Sequence, residues 1–346
     1  MTYDPFAGER RVVLGLETRI LDIATLGPAL FQEQVNRTIQ MCHKRAKGAQ
    51  AALNFVPGAG DAWHLNRQTP GPDAMWVDDT DSLDCVYPDA DAAEATYEKT
   101  SFPFKCMLLK GNVSRKAIAR GRSYVDVLAL ELGDATERAT YTLEKCIFQG
   151  NYGGATPKQF DGLFQLLAPY NDPADPNDRY QVYAALDGAD SVATAGTLTL
   201  SLLDKVIDEV KGGDKVIFCS RAGRRVIRSL QQAFINHNDR TRIAAGLEVE
   251  TYMDAPLVTT DGIPDTMTVV EAAGLYSIGA LTGGDTTAIV VVNSDDVFIA
   301  ELTPLTVEPL AKCTTQRQKF EAYWDGTLVL NCPESAAMII NVATDC

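Results

Sequence analysis

The hydrophobic pattern predicts one long amphipathic helix near the middle of the chain. Across residues 123–149, apolar or small side chains recur in steps of three or four, the spacing that places them on one face of an α-helix. Ser123 and Asp126 have the spacing of a capping box at its start, and Gly150 is predicted to end it in the left-handed conformation. At 1.5 Å per residue, the helix would be a strut of about 40 Å.

Beyond residue 180 the pattern predicts compact α/β structure. A buried strand over 215–219 lies between two amphipathic helices, the first over 197–210 and the second capped by Ser220. Further strands are predicted over 247–253, 287–292, 297–302 and 313–331, the last broken into two by a hairpin turn at Asp325-Gly326. This alternation indicates a domain with its own core.

The first 105 residues are much less regular. Residues 1–55 are predicted to form an extended lead and then a helix, which breaks at Gly48. Residues 56–105 hold ten acids, three bases and many turn residues, yet they are too aromatic for a disordered linker. Because the stretch 96–109 alternates as a strand does, we expect 56–105 to be a projecting β-hairpin arm whose partner surface lies on another molecule.

Composition and charge narrow the class of protein. The 346 residues carry 46 acids against 31 bases, a formal charge of −15, and 46% of them are hydrophobic. This balance excludes disorder as the main state and argues against a protein that grips nucleic acid by neutralising phosphates. The sequence begins without a secretory leader and has no uninterrupted apolar run of about 18 residues, so no membrane partner is expected.

The search for reactive residues returns no active site. The patterns G-x-S-x-G, G-x-x-x-x-G-K-[ST] and G-x-G-x-x-G do not occur, and the three histidines stand apart from one another. The acids at 78–84 lack the glycine of a calcium loop and are interpreted as a solvated turn. The eight cysteines are scattered and are expected to be buried, reduced thiols. No catalytic, cofactor-binding or metal-binding residue is assigned, and the chain is predicted not to be an enzyme.

One basic feature stands against the acidic background. Arg221, Arg224, Arg225 and Arg228 lie on one predicted helix at spacings that put most of them on one face, with Asp239 as the nearby acid. Two interpretations remain open. The arginines meet acids of a neighbouring subunit or packaged phosphate, or they form an ordinary solvated face.

Four local patterns follow one another along the chain. They are Val113-Ser114 before a basic turn and the long helix; Pro157 to Leu163; the helix, strand and Arg-rich helix of 199–230; and Phe320 to Asn331 followed by Pro333 to Ala337. In this order they resemble the major capsid protein of tailed bacteriophages, which has the Hong Kong 97 shell fold. They cover the chain from about residue 115 onward, whereas residues 1–114 match by architecture.

The resemblance implies an α+β capsid fold with four parts. These are an N-terminal arm (1–55), an extended hairpin loop (56–105), a peripheral domain (106–155 and 305–335) with a spine helix over 123–149, and an axial α/β domain (156–304 and 336–346). Neighbouring subunits would bury aromatic side chains of the hairpin loop and meet the basic helix. The candidate contact residues are Trp63, Trp76, Phe102, Phe104, Arg221, Arg224, Arg225 and Arg228.

The resemblance also implies a structural role in the virion. Copies made in the bacterial host cytoplasm would assemble into hexamers and pentamers and close an icosahedral shell. The genome of double-stranded DNA would be enclosed without being specifically bound. Expected partners are the chain itself, a portal, a decoration protein and a separate scaffolding protein, since a chain that starts at Met1 has no room for a scaffold segment. The family's Lys–Asn cross-link has no matching motif here.

Two other classes of function compete with this interpretation. An encapsulin-type compartment has the same fold but a simpler arm, and its particles would carry a cargo protein instead of DNA. An α/β enzyme would use the Arg-rich helix to bind an anionic substrate and would be a monomer or small oligomer. Imaging of assembled particles separates these alternatives.

Overall fold

The computed structural model of the chain describes residues 47–69, 96–121, 126–151, 158–170, 181–185, 196–233, 240–242, 248–265, 267–269, 276–277, 286–310 and 316–344. The predicted N-terminal helix, Trp76 and the acidic turn at 78–84 lie outside these ranges. In the part of the chain that the structure describes, no helix is both long and apolar enough to cross a membrane.

Six α-helices occur in the described ranges, and one of them is much longer than the others. They are α1 (Gly48–Ala52), α2 (Arg115–Gly121), α3 (Val127–Gln149), α4 (Leu163–Leu167), α5 (Leu200–Glu209) and α6 (Arg221–Ala233). A helix begins at Gly48, and the helix that the sequence predicts before that residue lies outside the described ranges.

The strands fall into two main sheets and two short ladders. In chain order they are β1 (Asn54–Pro57), β2 (Ala62–Thr69), β3 (Thr96–Pro103), β4 (Lys105–Ser114), β5 (Val182–Ala184), β6 (Lys215–Cys219), β7 (Arg240–Arg242), β8 (Glu248–Tyr252), β9 (Ala255–Thr259), β10 (Thr268–Val269), β11 (Tyr276–Ser277), β12 (Thr286–Asn293), β13 (Val297–Leu310), β14 (Arg317–Leu330) and β15 (Ala336–Ala343). The sheet orders are β1-β13-β14-β4, β5-β15-β12-β6-β9-β8-β7, β10-β11 and β2-β3.

The seven-stranded sheet is covered on both faces, which explains why its central strands are mostly apolar. Along β6, Val216 and Phe218 point to one face, where they join the core that also holds Phe148 and Trp324. Ile217 and Cys219 point to the other face, among buried side chains of α5 and α6. A strand buried on both sides reads as a continuous hydrophobic run, as residues 288–292 of β12 do, and all of β12 is buried.

The four-stranded sheet alternates between a covered and an exposed face. Along β4, Cys106 and Leu108 are exposed, whereas Met107 and Val113 face inward. Val113, Phe320 of β14 and Ala135 of α3 form a small buried cluster between the sheet and the long helix. The long helix therefore packs along this sheet over its first half.

The long helix begins later than the sequence pattern predicted, and it ends at Gly150 as predicted, although that residue has a different conformation from the one expected. Asp126 caps α3, because its Oδ1 accepts hydrogen bonds from the backbone N–H groups of Leu128 (3.0 Å) and Ala129 (3.2 Å). The 23 residues of α3 span about 35 Å. Gly150 ends the helix at φ −58°, which is not left-handed. Space decides this position, since a Cβ on Gly150 would lie 2.3 Å from the Phe160 carbonyl oxygen.

The hairpin predicted at Asp325-Gly326 is also wrong. β14 runs without a break through both residues and pairs with β13 on one side and β4 on the other. A Cβ on Gly326 would lie 2.4 Å from the Trp324 ring and 2.8 Å from the Ala300 carbonyl oxygen. The glycine therefore makes room for a buried tryptophan inside a strand, so it does not mark a turn.

Candidate subunit-contact surfaces

Strands β2 and β3 form the antiparallel hairpin predicted within residues 56–105. Their register runs from Ala62 opposite Pro103 to Thr69 opposite Thr96. The 26 residues of 70–95 connect the two strands, and they hold eight acids and no base. The described part of the arm is thus a regular two-stranded base, from which a strongly acidic segment leaves and returns.

The aromatic residues at the base of this hairpin pack within their own chain. Phe102 is 6% exposed and clusters with Phe298, Ala300 and Val329. The Trp63 ring meets the Phe298 ring edge-on, at a centroid distance of 5.5 Å. Because burial of Phe102 is already complete in the single chain, its predicted insertion into another subunit is wrong.

Two other arm aromatics differ from this pattern. Phe104 is half-buried, and its ring covers Gly58, where an added Cβ would lie 2.5 Å from the ring. Tyr97 was not selected from the sequence, yet 73% of it is exposed. An exposed tyrosine at the far end of the described hairpin is a better contact candidate than the residues at its base.

Arg67 ties the hairpin to the body of the subunit. Its Nε donates a hydrogen bond to the Asn331 carbonyl oxygen (2.8 Å) and its Nη2 to the Leu330 carbonyl oxygen (2.6 Å). Its Nη1 donates a longer hydrogen bond to the Tyr170 hydroxyl (3.4 Å). These carbonyls lie at the end of β14, so one guanidinium group fixes the hairpin against the end of a central strand.

Replacing this arginine should loosen the arm without unfolding the subunit. We expect Arg67→Ala to lower the free energy of unfolding by about 1–2 kcal/mol, since charged donors to backbone carbonyls are lost from a half-buried site. Amide hydrogen exchange should speed up over β2 and β3. The matched control is Lys99→Ala on the exposed side of β3, for which we expect a change within about 0.5 kcal/mol. Equal effects of both changes would contradict the role of Arg67.

The arginines of α6 divide into two pairs. Arg221 forms an ion pair with Asp261, at 3.2 Å. Arg224 holds Glu250 through two contacts, at 3.1 and 3.2 Å. Sequence reasoning missed both acids because they are close in space but lie 26 or more residues away along the chain. Arg225 and Arg228 are exposed, and neither forms an ion pair with an acid in the described ranges. Of the four predicted contact arginines, these two remain available to a partner.

A buried glutamate on α3, not singled out from the sequence, joins three parts of the chain. Glu144 is fully buried and accepts hydrogen bonds from the backbone N–H groups of Ala49 (2.9 Å) and Gln50 (3.2 Å) and from the Thr260 hydroxyl (2.6 Å). Burial raises the pKa of Glu144, although these hydrogen bonds oppose the shift. The carboxyl group thus connects the long helix to α1 and to the end of β9.

The position of Glu144 in the sequence indicates that it lies on the buried face of α3. Glu144 lies four residues before Phe148, so it faces the same side of α3 as a core aromatic. A polar residue in an apolar stripe needs partners when it is buried. Those partners come from residues about 95 and 116 positions away, which is why periodicity alone does not reveal them.

The described residues show no activated nucleophile. A hydrogen bond from the Cys106 thiol to Asp325 raises the pKa of that thiol to about 11, and burial raises that of Cys219 to about 12. Thiols with such pKa values stay protonated at neutral pH and are poor nucleophiles. The expectation of buried cysteines is wrong for Cys106 and Cys332, which are exposed. In the described ranges, no group of three His, Cys, Asp or Glu side chains could hold a metal.

An apolar groove of about 470 Å³ runs between the first half of α3 and the ends of β13 and β14. Its walls include Leu128, Leu132, Val307, Pro309 and Phe320. Thr136, Gln318 and Lys319 also line the groove, but its walls are mainly apolar and are therefore better suited to packing than to chemistry. The groove is one open apolar surface of the subunit. The outer face of the four-stranded sheet is another, because Leu108 on that face is 49% exposed.

Comparison with known proteins bears on what these surfaces are for. The model of the SU10 major capsid protein family matches residues 112–343. A comparison with curated proteins gives no match.

Several solved structures share the fold. The holo-SrpI encapsulin complex from Synechococcus elongatus PCC 7942 aligns with a TM-score of 0.61 at 11% identity, over 92% of this chain and 96% of that chain. The capsid of a native GTA particle aligns with a TM-score of 0.59 at 10% identity, over 89% and 94%. A structure from Mycobacterium phage Bobi aligns with a TM-score of 0.55 at 15% identity, over 87% and 92%. At these identities the alignments establish the fold alone, and the predicted α+β shell fold is confirmed.

Proposed function

The chain belongs to the SU10 major capsid protein family, and from this premise we propose that copies of it assemble as hexamers and pentamers into an icosahedral shell around double-stranded DNA. The match over residues 112–343 carries the proposal. A major capsid protein forms the shell of a virion, so the chain is a structural component that associates with itself. The proposal goes further in naming the capsomers, the symmetry and the enclosed genome.

The subunit can be divided into the four regions of a capsid protein. We propose that 1–55 is an N-terminal arm, that 56–105 is the extended loop, that 106–155 with 305–335 is the peripheral domain, and that the rest is the axial domain. Strand β13 supports this division, because it follows β12 of the seven-stranded sheet through a short turn and then enters the four-stranded sheet. Each sheet would then serve as the centre of one domain.

The energetics of a shell suit the surfaces that the subunit leaves open. Each copy in a closed shell touches several neighbours, so moderate contacts accumulate and no single pair needs high affinity. The apolar groove, exposed Leu108 and Tyr97, and the free arginines of α6 are separate patches of this moderate kind. Because the chain is acidic it would repel DNA, so we expect the shell to enclose the genome without binding it tightly.

An encapsulin-type compartment shares the fold, and the SrpI encapsulin aligns over most of its length. The family match favours the phage capsid, since it covers two thirds of the chain and concerns sequence as well as fold. We propose DNA as the content of the shell, and a portal, a decoration protein and a separate scaffolding protein as its partners. Synthesis in the host cytoplasm belongs to the same proposal.

An α/β enzyme that binds an anion on α6 is the less favoured alternative. Arg221 and Arg224 are held by acids of their own chain, and Arg225 and Arg228 lie on an exposed helix face. Catalytic sites need converging groups in a concave pocket. A structural role without catalysis is the better account.

Electron microscopy of the purified chain tests the proposal. We expect hexameric or pentameric capsomers and, with the scaffolding protein supplied, closed icosahedral shells. Shells purified from infected or producing cells should contain nuclease-protected DNA. A chain that stays monomeric under every assembly condition, including added scaffold, would contradict the capsid function. Shells that carry a cargo protein and no DNA would favour the encapsulin alternative.

A further inference from the structure

The exposed side of α6 carries positive charge that the described part of the subunit does not neutralise. α6 has four arginines and no acid among its 13 residues. Arg224 is held by Glu250, whereas Arg225 and Arg228 are exposed and form no ion pair with an acid in the described ranges. Their spacing of three residues places them on the same side of the helix. The opposite side of α6 packs in the core of the seven-stranded sheet, so this charge faces away from the subunit.

Arg221 adds a third guanidinium group to the same side. It lies four residues before Arg225 and seven before Arg228, positions that share one face of an α-helix. In its ion pair with Asp261 the Arg221 side chain is 62% exposed, and a pair this exposed is weak. Arg221 can therefore exchange Asp261 for another anion. These three residues, called the arginine row below, extend over about 10 Å along the helix.

The surface around the arginine row differs from the other open surfaces of the subunit. Within residues 221–231, no exposed position is apolar, and the exposed residues are Arg221, Arg225, Arg228 and Ser229. Contacts between proteins are usually built around aromatic or aliphatic side chains, with charged residues at the rim. The apolar groove and Leu108 have that character. A row of arginines without an apolar centre is instead typical of surfaces that contact the phosphates of nucleic acids.

We propose that the arginine row of α6 contacts phosphate groups of the double-stranded DNA inside the shell. This inference rests on the capsid function proposed above, and it names one surface through which the shell meets its content. A guanidinium group pairs with phosphate through two parallel hydrogen bonds and reads no base in doing so. Because the whole chain has a charge of −15, the contact is expected to be weak, sensitive to salt and independent of base sequence.

Binding of a short fluorescent DNA duplex to the unassembled subunit tests the contact. The variant Arg225→Gln with Arg228→Gln removes two charges and leaves the ion pairs of Arg221 and Arg224 in place. At low salt we expect its affinity for the duplex to be about tenfold or more below that of the wild type. The slope of log affinity against log salt concentration should fall by about 2, because each phosphate contact contributes about 1. A duplex of unrelated sequence should give the same values.

Two further variants control for charge and for hydrogen bonding. Lys116→Gln with Arg120→Gln removes two exposed charges from α2 and should bind the duplex nearly as the wild type does. Arg225→Lys with Arg228→Lys keeps the charge but loses the paired hydrogen bonds, so its affinity should fall by less than that of the glutamine variant. Thermal unfolding checks that each variant is folded. Equal losses of affinity in the α2 and α6 glutamine variants would overturn the inference, and so would a wild-type subunit that does not bind the duplex at low salt.

The assembled shell provides an independent test. An electron microscopy reconstruction of DNA-filled shells should place α6 on the inner surface, next to the outermost layer of DNA, and the glutamine variant should still form shells. The inference is overturned if α6 lies on the outer surface or at a boundary between copies. It is also overturned if the glutamine variant fails to assemble while its affinity for DNA is unchanged, since the arginines would then meet acids of a neighbouring copy. Each of these results leaves the capsid function intact, because the wild-type chain still forms shells.

Discussion

Subunits in which Asn-Gly replaces residues 70–95 are expected to fold but not to assemble. The replacement joins Thr69 to Thr96, which already face each other in the hairpin, and Asn-Gly is the preferred two-residue turn for such a connection. All contacts of the hairpin base, including those of Phe102 and Arg67, are kept. The free energy of unfolding of the isolated subunit should therefore not fall, and it should rise by about 2 kcal/mol because the much shorter loop costs less entropy to close.

Loss of assembly is expected because residues 70–95 include Trp76, a candidate subunit-contact residue, and belong to the extended loop that is expected to meet another molecule. Sedimentation and electron microscopy should show unassembled subunits at concentrations where the wild type forms shells. A glycine-serine linker of the same length is the matched control for geometry, and it should fail in the same way. Shells formed by the shortened chain would show that the segment has no part in assembly.

The structure also changes where the arm can be cut. Deleting residues 60–100 would remove most of the hairpin and not the acidic segment alone. That deletion would take away Trp63, expose Phe298 and break the Arg67 hydrogen bonds to the end of β14. We now expect it to destabilise the subunit, so it cannot separate assembly from folding.

Glu144→Ala is expected to destabilise the subunit by about 3 kcal/mol. The change leaves the Thr260 hydroxyl and the Ala49 N–H without their acceptor in a buried site, and each such group costs about 1–3 kcal/mol. It also opens a small cavity between α3, α1 and the end of β9. Urea unfolding of the unassembled subunit measures the effect.

Glu137→Ala is the control for this change. Glu137 lies on the same helix and its side chain is 38% exposed, where it pairs with Lys47 at 2.6 Å. A pair this exposed contributes about 1 kcal/mol or less. If the two alanine variants lose equal stability, the buried carboxyl group of Glu144 does not make a special contribution to holding α3 against α1 and the end of β9.

The pH dependence of stability should carry the signature of Glu144. Because burial raises the pKa of Glu144 above its ordinary value of 4.5, the folded state holds the proton more tightly than the unfolded state does. Stability from this group is therefore complete below about pH 4.5 and falls as the pH rises through the raised pKa. Glu144→Gln removes the titration, so the difference in stability between wild type and variant should vary with pH across that window.

Local rules predicted the elements whose signals are short-range. The strand Lys215–Cys219 and the Ser220 cap of α6 match the structure, with Ser220 Oγ accepting from the Gly223 N–H at 3.0 Å. The turn before β13 also occurs where four polar residues interrupt two apolar strands. Each of these depends on residues within a few positions of one another, and sequence reasoning sees such residues together.

The sequence-based predictions failed for residues whose surroundings are set by the tertiary fold. Gly326 has the composition of a turn, but its role is to leave space for the Trp324 ring and the Ala300 carbonyl. The Phe102 side chain looked like a contact for another molecule, but Phe298 and Val329 cover it. The acids opposite Arg221 and Arg224 come from a separate loop and strand. No local pattern distinguishes these cases.

The sequence by itself determined the long helix, the acidic arm and the basic helix, because periodicity and charge are local properties of the chain, and the resemblance carried by the order of its motifs implied a capsid fold. Only the tertiary structure decided which of those features remain available to a neighbour. It buried Phe102, satisfied two of the four arginines and enclosed Glu144, and it left Arg225, Arg228 and Tyr97 exposed. The physical reason is that burial and ion pairing depend on contacts between residues far apart in sequence, which exist once the two sheets and the long helix have packed together.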